Sequence, residues 1–269
     1  MYKGFCINKS SISLAVSNYL VNDARMQDFC KVRASLVTKE KDVASRIARI
    51  LQGDATGTID GEAMQNTCMP TANEKYDIFI SHSHTEEKEA KDLAAYLRMR
   101  YGLRCFVDGF VWGSCDKDIL RPLDEIWSWQ NEKKESFSYE KRNYSTSLVH
   151  AMLSMALLEM IDKCECCIFI KPTEDLVVSG IDDCTTSPWI YEEIMMFNKL
   201  EKNKPDRITR CMESFSATSP KPRVRYKLDL SNMPLLKASH LQKFIGTDEY
   251  SLKYTKAYRW LDEMYDNVR

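Results

Sequence analysis

The stretch from Tyr76 to Asp108 constrains the fold most strongly. YDIFI (76–80) is a short run of aromatic and β-branched residues, the composition of a strand covered on both faces. In SHSHTEEKEAKDLAAYLRMRYG, which follows, Ser83 and Glu86 fit an S-x-x-E capping box, and Ala90, Leu93, Ala94, Leu97 and Tyr101 keep helical spacing. Gly102 can then end that helix in the left-handed conformation, and LRCFV (103–107) reads as a second strand ending at Asp108. A strand, a helix and a strand in immediate succession predict a parallel pair joined by a right-handed crossover.

The alternation continues downstream. Leu148 to Ile161 reads as a helix rich in Leu and Met, CCIFI (166–170) as a third buried strand, and SPWIYEEIMMFNKLEK (187–202) as a helix with Ser187 and Pro188 at its N-cap and first turn. RVRYKLDL (223–230) reads as a fourth strand, and a final helix is expected over about 248–265, with Leu252, Tyr258, Leu261 and Met264. This order predicts an α/β, doubly wound parallel sheet whose ligands bind beyond the carboxyl ends of the strands, at the loops after Ile80, Val107 and Ile170.

Two regions stand outside that pattern. Residues 1–74 read as an N-terminal extension that is partly helical, over Ser11–Val21 and Thr38–Leu51, with a linker from Gly53 to Asn73. The main domain is then 75–269, with an insertion at about 109–143. That insertion packs by its aromatic residues; Trp112, Trp127 and Trp129 read as insertion core or association surface, because no basic groove accompanies them for base stacking.

Charge and composition narrow the partners. With Lys+Arg 38 against Asp+Glu 39, the net charge of -1 gives no overall attraction to nucleic acid or to an anionic membrane. The apolar run Leu148–Leu158 is too short to span a bilayer and the start, MYKGFCINKSS, lacks a signal-peptide pattern, so the expected location is the cytoplasm. The 10 cysteines are therefore expected to be reduced and mostly buried. Cys164, Cys166 and Cys167 form CxCC on a strand whose side chains alternate in direction, which does not close on one zinc ion. His82 and His84 sit in a turn beside a cap, so no metal site is assigned.

The helix over 187–202 carries the chemistry. Trp189, Glu193 and Phe197 fall at i, i+4 and i+8, a carboxylate between two rings, while Ile190, Ile194 and Phe197 supply the docking face. Burial there would raise the pKa of Glu193. Glu192 projects about 100° away, toward solvent. The plainer reading of such a spacing is one packing tryptophan and one solvated acid.

Taken in order, YDIFISHSHTEE, GLRCFVD, ECCIFIKP and SPWIYEEI resemble the first strand and its box, the second strand and its loop, the third strand and the W-x-x-x-E helix of Toll/interleukin-1 receptor (TIR) domains. The resemblance covers about residues 75–202 and is greatest to the bacterial NAD-consuming TIR enzymes. It implies a flavodoxin-like sheet. It also implies that Glu193 is the catalytic carboxylate and Trp189 an aromatic wall of the nucleotide site. Phe79, Ser81, His82 and Ser83 would approach the ribose or phosphates, and Asp108 and Trp112 would border the nicotinamide side.

The implied activity is cleavage of the nicotinamide–ribose bond of NAD to ADP-ribose or a cyclic or modified ADP-ribose signal, as in bacterial anti-phage defence. NAD is then substrate and no cofactor is needed. Self-association through TIR surfaces and a downstream effector that senses the product are the implied partners. Two other readings stay open: a non-catalytic TIR scaffold acting through protein contacts, and an enzyme like the nucleoside deoxyribosyltransferases. Fold analogy does not separate them. The sequence departs from the family in lacking a Pro-Gly turn after Asp108, a prompt apolar strand after the Glu193 helix, and any family counterpart for residues 1–74.

Overall fold

Seven strands are present in the computed structural model, which describes residues 1–36, 49–50, 60–71, 75–171, 184–185, 187–205, 226–227, 230, 232–242 and 256–268. They are β1 (Lys3–Ile7), β2 (Ile78–Ser81), β3 (Cys105–Phe106), β4 (Cys166–Ile170), β5 (Cys184–Thr185), β6 (Tyr226–Lys227) and β7 (Leu235–Leu236). Five of them form one sheet in the order β3-β2-β4-β1-β7, and every neighbouring pair is parallel. The chain is therefore an α/β protein. The portion β3-β2-β4 has the 2-1-3 order of flavodoxin-like sheets.

Beyond β4 the sheet is completed from an unexpected part of the chain. β1, from the segment read as an extension, pairs with β4 over its whole length and with β7 on its other side. The segment read as an extension thus contributes a strand to the main sheet. It also supplies the strand that does not follow the Glu193 helix in sequence. KGFCI is a weak strand signal because a glycine interrupts it. In the fold that glycine is required: a Cβ on Gly4 would lie 2.5 Å from Cζ of Phe197 and 2.9 Å from Cε of Met233.

Strand alternation sends Gly4 and Phe5 to opposite faces, and both faces carry helices. Helix Pro188–Lys199 lies over Gly4 through Phe197. On the other face the Phe5 ring stacks on Tyr265 of helix Lys256–Asn267, and Trp260 of the same helix stacks on Tyr101. Helix Glu87–Tyr101 ends at Gly102 with φ 78, as its sequence predicts, and receives helices Lys9–Tyr19 and Asp23–Ser35 along its side. An ion pair of 2.6 Å between Arg33 and Asp92 joins the last of these to it.

Other sequence expectations shift. Of 223–230, Tyr226–Lys227 is strand, but it pairs antiparallel with Cys184–Thr185 in a separate two-stranded sheet rather than extending the main one. Residues 223–225 and 228–229 lie outside the described residues, as do most of Thr38–Leu51 and residues 248–255. Within the predicted linker, Gly61–Cys68 is a helix capped by Asp60, whose side chain accepts from the N–H of Ala63. The helix expected over 148–161 spans Tyr139–Lys163 and takes in the end of the predicted insertion. It is also long and apolar enough to cross a membrane by length and composition; its Val149, Ala156, Leu157 and Ile161 are buried in the protein, as in a core helix.

The chain divides into two compact units: Met1–Ser35, Lys75–Phe106 and Ile161–Arg269 form one, and Leu36–Glu74 with Val107–Met160 the other. The first holds the sheet. The second groups part of the segment read as extension with the segment read as insertion.

Candidate active site

Helix Pro188–Lys199 begins as its sequence dictates, with the Ser187 hydroxyl accepting from the N–H of Ile190 and proline in the first turn. Ile190, Ile194 and Phe197 are buried against the sheet, and Phe197 seats on Gly4. Glu193 lies one turn before Phe197 and is 6% exposed. Its carboxylate Oε2 accepts a 2.5 Å hydrogen bond from the hydroxyl of Ser81, the last residue of β2. Trp189, a further turn back, is half-buried.

The thiol of Cys167 on β4 lies within electrostatic reach of Glu193. Burial pushes that thiol well above its ordinary value, and the Glu193 carboxylate adds to the shift. The Ser81 bond fixes one carboxylate oxygen and thereby the orientation of the group. A carboxylate so held is suited to stabilising a developing positive charge or to accepting a proton.

The remaining residues assigned from the sequence divide into three groups. His82 and Ser83 follow Ser81 at the carboxyl end of β2 and are half-buried. Phe79 is not available to a ligand: it is 1% exposed and stacked on Phe106 with centroids 5.5 Å apart, so it is a core residue of the sheet. Asp108 and Trp112 belong to the second unit. There Asp108 opens the short helix Asp108–Val111, while Trp112 is 6% exposed and its indole N–H donates to the carbonyl of Pro70 at 3.2 Å, the environment of a core tryptophan.

A second buried carboxylate escaped the sequence reading. Glu86 is fully buried, accepts from Ser83 and from Thr85 Oγ1 (2.8 Å), and pairs with Lys9 Nζ at 3.1 Å. The S-x-x-E pattern signals the Ser83–Glu86 contact. It is made between side chains, with His84–Glu86 forming a 3₁₀ turn ahead of the helix. Lys9 carries no such signal, because its strand and helix were not expected to join the sheet.

Among the described residues no group of three or more His, Cys, Asp or Glu side chains is placed to hold a metal ion. Fold and site together define an α/β protein with an all-parallel five-stranded sheet and a buried helix glutamate bonded to the serine that ends an interior strand. No protein-family model, curated protein or solved structure matches the chain.

Proposed function

We propose that the chain is a cytoplasmic TIR-family enzyme that cleaves the nicotinamide–ribose bond of NAD, with Glu193 as its catalytic carboxylate. The observation that carries this reading is the placement of Glu193: 6% exposed, on a helix over a parallel sheet, bonded to Ser81 where β2 ends. Ligands of such sheets bind beyond the carboxyl ends of the strands.

Nicotinamide in NAD is already cationic, so its departure needs no proton from the protein. What the site must stabilise is the oxocarbenium-like charge left on the ribose. A carboxylate turned toward that charge in a water-poor setting does so strongly. Ser81 then acts on the carboxylate rather than on the substrate, and Trp189, half-buried one turn earlier on the same helix, forms a wall for the nucleotide. Water as acceptor gives ADP-ribose, and an internal nucleophile gives a cyclic product.

The test is incubation of purified protein with NAD, alone and with candidate activators, following nicotinamide by chromatography. Release from the wild type and its loss in Glu193→Gln support the reading. Equal release from both removes Glu193 from the chemistry, no release under any condition favours a scaffold, and deoxynucleoside exchange in its place favours a transferase.

A further inference from the structure

The second unit carries a half-open cleft of about 750 Å³, within the size range of small-molecule sites. One wall is the pair Trp129 and Phe137, joined by an antiparallel bridge and stacked with centroids 4.2 Å apart. Each ring carries a cation: Lys134 Nζ lies 5.9 Å from the Trp129 centroid and the Arg142 guanidinium 5.5 Å from that of Phe137. Arg121 is the third cation of the lining. The aromatic pair thus seats two of the three cations, which lowers the entropy lost when they bind an anion.

The acids of the lining decide the sign of the ligand. Asp124 is 3% exposed and accepts from Ser128 Oγ (2.7 Å), Ser145 Oγ (2.5 Å) and Arg142 Nε (3.0 Å). Glu125 accepts from Arg121 Nε at 3.0 Å. Both carboxylates are therefore engaged by the protein's own donors, and Asp116, exposed to water, is the remaining acid. A cationic ligand would compete with Lys134 and Arg142 for the ring faces. An anionic one meets two guanidiniums that pair with the protein's own acids through Nε, and the terminal amino pair of a guanidinium is a fork that matches phosphate. The cleft is far larger than a phosphate ion, which leaves room for an organic group.

We propose that this cleft binds a small organic phosphate, held by Arg121, Lys134 and Arg142. The site lies wholly in the second unit and its argument does not depend on the NAD reading. The test is isothermal titration calorimetry of the full chain with ribose 5-phosphate, AMP, adenosine and inorganic phosphate. The esters are expected to bind at least about tenfold tighter than inorganic phosphate, with adenosine silent.

Arg121→Gln with Lys134→Gln should weaken ester binding about tenfold or more at an unchanged unfolding midpoint, since both side chains are exposed. Asp116→Asn should tighten it. Glu193→Gln should leave it unchanged, and the Arg121/Lys134 variant should keep whatever nicotinamide release the wild type has, which separates failure here from failure at Glu193. No ester binding, equal binding of adenosine, or affinity unmoved by the double substitution would each overturn the proposal.

Discussion

Ser81, at the end of β2, and Glu193, 112 residues later, meet in a buried hydrogen bond of 2.5 Å. Both are almost fully enclosed, so removing the hydroxyl takes a donor from the carboxylate in a place water does not easily reach. Ser81→Ala is expected to cost about 1–3 kcal/mol of stability. In a double-mutant cycle with Glu193→Gln, urea denaturation should give a coupling of about 1 kcal/mol, and additive effects would show that the bond does not contribute.

Gly4 and Phe197 make a second, steric prediction. The Cβ of Gly4→Ala would meet the Phe197 ring, which is 1% exposed and has little space to move aside. The substitution should destabilise by about 1–3 kcal/mol through overpacking. Adding Phe197→Leu should recover part of that loss, a non-additivity readable in thermal melts of the four proteins.

Lys9 supplies the charge opposite the fully buried Glu86. Lys9→Met removes that charge from beside the buried carboxylate and should cost on the order of 3 kcal/mol. Lys9→Met combined with Glu86→Gln should be more stable than Lys9→Met by itself. The opposite order would mean that the pair is not what holds Lys9–Tyr19 to the start of helix Glu87–Tyr101.

The buried thiols give a pH dependence. Burial raises Cys105, Cys166 and Cys167 well above the ordinary 9.0, so the folded chain keeps protons that an unfolded chain releases near that value. Their contribution to stability is thus full below about pH 9 and is lost as pH climbs through the raised folded values. Peptide mapping after iodoacetamide treatment should find Cys30, which is exposed, labelled in the folded chain. The peptide holding Cys164, Cys166 and Cys167 should stay unlabelled until denaturant is added.

What the sequence reveals follows from how local each signal is. Ile78 to Phe106 is legible because strand composition, helical spacing and Gly102 succeed one another within one stretch. β1 is not legible, since Gly4 looks like a strand breaker until Phe197, far along the chain, is placed above it. The same holds for the site. The stripe Trp189, Glu193 and Phe197 identifies a carboxylate at the edge of a buried face, and the fold puts it there. Its partner Ser81 reads from the sequence as a substrate contact, because a hydroxyl at a strand end looks alike whether it meets a ligand or a distant glutamate. Phe79 and Trp112 show the matching ambiguity for aromatic rings, which serve equally well as lining or as core.

The central claim rests on Glu193, and the most direct measurement is the rate of nicotinamide release from NAD by wild type and Glu193→Gln at matched, high protein concentration. Circular dichroism should first show that both are folded. Release is expected from the wild type and at least about 100-fold less from the variant, the scale of losing one well-placed electrostatic group. Equal rates from the two proteins, or no release from the wild type under any condition, would contradict it.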